Sequence, residues 1–60
     1  MAKFIKMRDI YGKEHIVNVD RIKTLHLFQG CYCIAVDGVY DVLKVSQEEY
    51  YRIADILLQL

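Results

Sequence analysis

Up to about residue 45 the apolar positions alternate or run in short stretches broken by glycine, the pattern of strands and turns. Beyond it they recur at helical spacing without interruption. Ile5 and Met7 share one face of a first strand over 3–10, with Lys6 and Arg8 on the other. Tyr11-Gly12-Lys13 reverses the chain into a second strand over 14–19, where His15, Val17 and Val19 alternate against Ile16 and Asn18. Asn18-Val19-Asp20 bonds readily to its own backbone and predicts a corner before a third strand over 21–28. Gln29-Gly30 is the next reversal and a fourth strand occupies 31–36. Asp37-Gly38 is the strongest hairpin signal, because both residues tolerate positive φ in a two-residue turn. A fifth strand over 39–43, or slightly beyond, completes the expected meander.

The helix begins at a capping box. In Ser46-Gln47-Glu48-Glu49 the serine hydroxyl can accept from the Glu49 amide while the Glu49 carboxylate reaches back to the serine amide. Both glutamates also sit where the helix dipole favours negative charge. No Gly or Pro follows, so one helix of about 14 residues, roughly 21 Å long, closes the chain. The fold class is α+β: one domain over 1–60, with a five-stranded antiparallel meander that can curl toward a barrel, then a C-terminal helix.

This arrangement has more apolar surface than it can hide. Around the helix, Tyr50, Tyr51, Ile53, Ala54, Ile56, Leu57, Leu58 and Leu60 cover an arc of about 220°, twice the stripe of an ordinary surface helix. Pairing across Gln29-Gly30 sets Phe28 opposite Cys31, Leu27 opposite Tyr32, His26 opposite Cys33 and Leu25 opposite Ile34. One face then carries Ile22, Thr24, His26, Phe28, Cys31, Cys33 and Ala35, the other Leu25, Leu27, Tyr32, Ile34 and Val36. Neither is polar, as one face of a half-solvated sheet should be. The helix covers one face, and the other needs a barrel core or a partner. The interface candidates are therefore Tyr32, Tyr50, Tyr51, Ile53, Ile56, Leu57, Leu58 and Leu60, divided between the core and a contact surface. Ile56→Asp is expected to weaken self-association more than folding.

Composition sharpens this. A chain of 60 residues that is 55% hydrophobic is too apolar to be disordered, yet a domain of this size buries only about 60% of its unfolded surface. Disulfide and metal are the usual remedies, and neither fits. Cys31 and Cys33 are two residues apart, so in a strand their Cα atoms lie about 6.6 to 6.8 Å from each other, at the edge of disulfide geometry. With His15 and His26 they complete a Cys₂His₂ inventory, but Cys-x-Cys lacks the spacing of a zinc knuckle and reads as two small buried hydrophobes. No cofactor or metal is expected. The N-terminus shows no signal-peptide core and no run reaches the ~20 residues of a membrane span, which points to a reduced, cytoplasmic protein.

Catalysis by Cys33 with His26 as base would need a cleft and an oxyanion hole, for which so short a chain has little room, and no glycine-rich phosphate loop is present. No enzyme activity and no catalytic residue is expected. For nucleic acid, Tyr11, Tyr32, Tyr40 and Phe28 could stack bases on a small barrel, but Lys3, Lys6, Arg8, Lys13 and Lys23 are diluted by Asp9, Glu14 and Asp20. The net charge of zero also lacks the footprint of a phosphate binder. The charge is split, however: residues 1–30 carry +3 and residues 31–60 carry −3. A two-fold dimer can use such a split, and so can two halves that neighbour each other within one fold.

The spacing of Gly12-Lys13-Glu14, Asn18-x-Asp20, Ile22, Asp37-Gly38 and Lys44-Val45-Ser46-x-Glu48-Glu49 resembles the small bacterial FlbD-like flagellar proteins across nearly the whole chain. Leu43-Lys44-Val45-Ser46 departs from that pattern in lacking an acidic residue before the serine, and the helix is more apolar. The resemblance implies a non-enzymatic accessory protein working by contacts and carries over no catalytic residue. The expected function is thus protein interaction through an apolar sheet and helix surface, as a homodimer with a further protein partner. The competing classes are a phage or mobile-element inhibitor of a host complex and a small nucleic-acid-binding barrel.

Overall fold

The computed structural model describes residues 3–59. Among the described residues five strands form, β1 (Phe4–Arg8), β2 (Glu14–Asn18), β3 (Ile22–Phe28), β4 (Cys31–Val36) and β5 (Leu43–Val45), followed by α1 (Gln47–Leu58). They make two antiparallel sheets rather than one meander: β1 pairs with β2, and β3, β4 and β5 pair in that order. The cause is the corner after β2. Asn18 Oδ1 accepts from the Asp20 amide and caps a 3₁₀ turn over Val19–Arg21, so β3 departs without pairing to β2. The expected barrel stays open for the same reason. The two sheets meet where Asp9 bridges Val45 and the Ile10 amide donates to the Lys44 carbonyl at 2.9 Å.

The β3–β4 hairpin has the register expected from sequence, Phe28 with Cys31 through Leu25 with Ile34. Its turn is tight because Gln29 and Gly30 both adopt positive φ, 51° and 78°, as a two-residue turn matched to strand twist demands. Glutamine is strained there. Gln29→Asn is expected to stabilise the fold by about 0.5 to 1 kcal/mol, measured as a raised denaturant midpoint at unchanged slope.

Asp37-Gly38 behaves differently. Only Gly38 has positive φ, and the Val39 amide closes the turn onto the Val36 carbonyl at 3.1 Å. A glycine at the third position of such a turn splays the strands instead of pairing them. The chain therefore runs through a loop over 37–42, and β5 starts at Leu43 rather than Val39. A bulge between Ile22 and Thr24 also corrects the faces of β3: it sets Ile22 opposite Val36, on the side of Ile34 rather than with Thr24.

The core lies where the inner faces of both sheets meet the helix. Ile5, Met7, Val17, Val19, Ile34, Val36, Val45 and Ile53 form it, with Ile22, Leu25, Tyr32, Leu43, Tyr50, Ile56 and Leu57 packed around. The far face of the three-stranded sheet keeps Phe28 largely exposed while Cys33 is buried.

Candidate interaction surface

Two polar devices position the surface. At the first, Ser46 Oγ accepts from the Glu49 amide at 3.1 Å, as the capping box requires. The reciprocal bond is replaced: Glu49 Oε2 accepts from the Arg8 amide of β1 at 2.8 Å. Arg52 holds both Glu49 oxygens at 2.8 Å and donates to the Lys6 carbonyl at 2.6 Å. The helix is thereby latched along the β1 edge that faces away from β2. Arg52 hydrogen bonding, helped by the Arg8 amide, holds the Glu49 carboxyl below its ordinary pKa, and the Arg52 pKa is raised by the same pairing. The basic and acidic halves of the chain thus neighbour each other here within one fold.

At the second device, Asp9 organises the β1–β2 turn. Its Oδ1 accepts from the Tyr11 and Lys13 amides at 2.9 Å, and its Oδ2 accepts from His15 Nε2 at 2.8 Å. The His15 bond leads the causes that lower the Asp9 pKa. Nothing in local periodicity pointed to Asp9; the Asp-x-x-Gly-Lys loop is the one sequence signal for it.

With α1 held in this way, the surplus apolar surface of the helix falls on one shoulder. Ile53 is fully buried, and Tyr50, Ile56 and Leu57 pack against the core. Leu58 is 84% exposed and Tyr51 52% exposed, and seven residues of helix place them on nearly the same side. Tyr32, Tyr50 and Tyr51 form a ring cluster with centroids 5.0 Å (Tyr32–Tyr50), 5.3 Å (Tyr50–Tyr51) and 6.1 Å (Tyr32–Tyr51) apart, an arrangement that favours edge contacts. Leu27, paired with Tyr32, extends this patch onto β3 and is also exposed. Of the expected interface residues, Tyr51 and Leu58 stand in solvent, Tyr32 and Tyr50 are half-buried, and Leu60 lies outside the described residues. Leu27 was not among the expected residues, although its pairing with Tyr32 pointed to it. Ile56 belongs to the core shell, so Ile56→Asp would damage folding directly; Leu58 is the position that separates partner binding from folding.

The remaining candidate chemistry is dispersed. His26 stands opposite Cys33, but the Cys33 thiol donates to the Cys31 carbonyl at 3.6 Å and His26 Nδ1 lies 3.2 Å from Thr24 Oγ1. Both cysteines are free. Among the described residues no group of three His, Cys, Asp or Glu side chains converges on a metal position, and no helix is long and apolar enough to cross a membrane. Lys6 and Arg8 both approach Glu14, at 3.9 and 3.5 Å, which dilutes the positive face of β1. Comparison with protein-family models, with curated proteins and with solved structures finds no match to the chain.

Proposed function

We propose that this chain is a non-enzymatic interaction protein, working as a homodimer and binding another protein through the shoulder of Leu27, Tyr32, Tyr51 and Leu58. The observation that carries this reading is the exposure of Leu27, Tyr51 and Leu58 around the half-buried Tyr32, with the helix latched to β1 by Glu49 and Arg52. Tyrosine supplies large contact area at small entropic cost, which suits it to a binding surface. Asp9 and His15 are engaged in holding the β1–β2 turn, and Glu49 and Arg52 in holding the helix. An accessory role of the FlbD-like kind and inhibition of a host complex are specific forms of this reading, separated by the identity of the protein bound.

The test is affinity capture from cells that express the chain, comparing wild type with Leu58→Lys and with Tyr40→Asp, a fully exposed loop position away from the shoulder. One stoichiometric protein is expected on wild type and Tyr40→Asp, and its affinity for Leu58→Lys should fall by about 10- to 100-fold. Equal capture by Leu58→Lys, or binding of single-stranded oligonucleotides with steep salt dependence in place of a protein, would overturn the proposal.

A further inference from the structure

Of the four outer strand edges, that of β5 is taken by Asp9 and Ile10, and the other three differ in how they are closed. The outer edge of β1 is occupied, since its Arg8 amide and Lys6 carbonyl are bonded to Glu49 and Arg52. The outer edge of β3 is broken by the bulge at Lys23 and carries that lysine, two devices that discourage strand addition. β2 has neither. Bonds between Val19 and Lys3 and between Asp9 and Lys13 bracket the β1–β2 ladder. Alternation then places His15 and Val17 as the bonded positions and turns the backbone groups of Glu14 and Ile16, and the amide of Asn18, away from β1. Beside them lies a groove of about 580 Å³ between β2 and residues 36–39, and among the described residues no backbone bond from another element closes this edge. Ile16 on it is 71% exposed.

We infer that β2 is the seam of the homodimer, pairing antiparallel with β2 of a second copy about a two-fold axis at Ile16. This rests on the homodimer in the proposed function and assigns it a contact distinct from the shoulder. The two-fold register sets outward-facing residues against outward-facing residues: Ile16 meets Ile16 of the second copy, and Glu14 meets Asn18. Asn18 spends its Oδ1 on the Asp20 amide, which leaves its side-chain NH₂ to donate to the Glu14 carboxylate across the seam. Lys13 comes opposite Val19 and beside Asp20 of the second copy, an opposite-charge contact made twice. Sliding the register by two residues in one direction sets Glu14 against Asp20, and in the other it runs the seam into the Gly12 turn. Charge and turn position therefore select the symmetric register. The contact is isologous, so it closes at two copies and leaves both shoulders free for partners.

The test joins sedimentation equilibrium to crosslinking. Ile16→Lys places like charges on the axis at an exposed position and is expected to raise the dimer dissociation constant by about 100-fold or more with an unchanged circular-dichroism spectrum, whereas Leu58→Lys should leave it within about threefold. Ile16→Cys should crosslink to itself under mild oxidation, because bonded antiparallel partners lie about 5.5 Å apart, where wild type under the same treatment does not. A dimer that survives Ile16→Lys, or that Leu58→Lys dissolves, overturns the β2 seam while leaving a homodimer. A monomer at every concentration overturns the homodimer itself.

Discussion

Ile53→Ala is expected to remove most of the stability of this domain. Ile53 is fully buried on α1, which packs on β4 and β1, and Ile34 of the same core cluster is equally inaccessible. Truncating a buried isoleucine costs about 2 to 5 kcal/mol, the spread depending on how far the site collapses. A domain of this length has only about 3 to 9 kcal/mol in total, so the loss approaches the whole. Chemical denaturation should show the midpoint falling toward zero denaturant, with Ile34→Ala similar. The contrast with Leu58→Lys is the informative part. Leu58 sits on the same helix but stands in solvent, so its substitution should change the unfolding free energy by no more than about 0.5 kcal/mol. A helix whose residues divide this sharply between structural and surface effects is one that lies across a single layer with one shoulder uncovered.

Glu49→Ala is the second large effect, and it acts at a distance from the core. It removes the carboxylate that satisfies the Arg8 amide and both Arg52 donors, and it frees Arg52 from its fixed approach to the Lys6 carbonyl. Hydrogen bonds to charged groups contribute about 1.5 to 3 kcal/mol, and partial solvent exposure of Arg52 places the expected loss near the lower end, about 2 kcal/mol. Glu49→Gln should retain part of it. The same carboxylate imposes a pH dependence. Its pKa is lowered in the folded chain, as is that of Asp9 through His15, so the unfolded chain binds protons first as the solution is acidified. The stabilisation from both groups is complete above the ordinary carboxylate range and is lost as pH falls through their depressed values. Denaturation midpoints should be flat near neutrality and decline below about pH 5, and Glu49→Gln should flatten that decline.

How much of this was legible beforehand follows from how local each determinant is. The β3–β4 register could be read from sequence because Gln29-Gly30 and the residues it pairs are neighbours in the chain, and a two-residue turn leaves a single pairing. Ser46 as the helix cap was legible for the same reason. Asp37-Gly38 misled because the dipeptide specifies a turn but not its hand; with Asp37 outside the positive-φ region the strands diverge, and β5 begins at Leu43. The destination of the Glu49 carboxylate was hidden by its 41-residue separation from Arg8, which helix-local capping rules do not weigh. The corner at Asn18 was legible, but that β3 leaves it without pairing to β2, and that Asp9 bridges Val45, are set by long-range contacts that local patterns do not carry. For the interaction surface, the excess apolar arc was visible in the helix pattern, but which part is excess was decided by the latch: Glu49 and Arg52 turn Ile53 inward, draw Ile56 into the core shell and leave Tyr51 and Leu58 outside.

In the proposed homodimer, association gives sixty residues with free cysteines the burial that a larger domain gains from another layer. The most direct measurement is sedimentation equilibrium of the unaltered chain between about 1 μM and 1 mM. A reversible rise from monomer to a mass that stops at two chains is the expected result. A monomer mass across the whole range would contradict it.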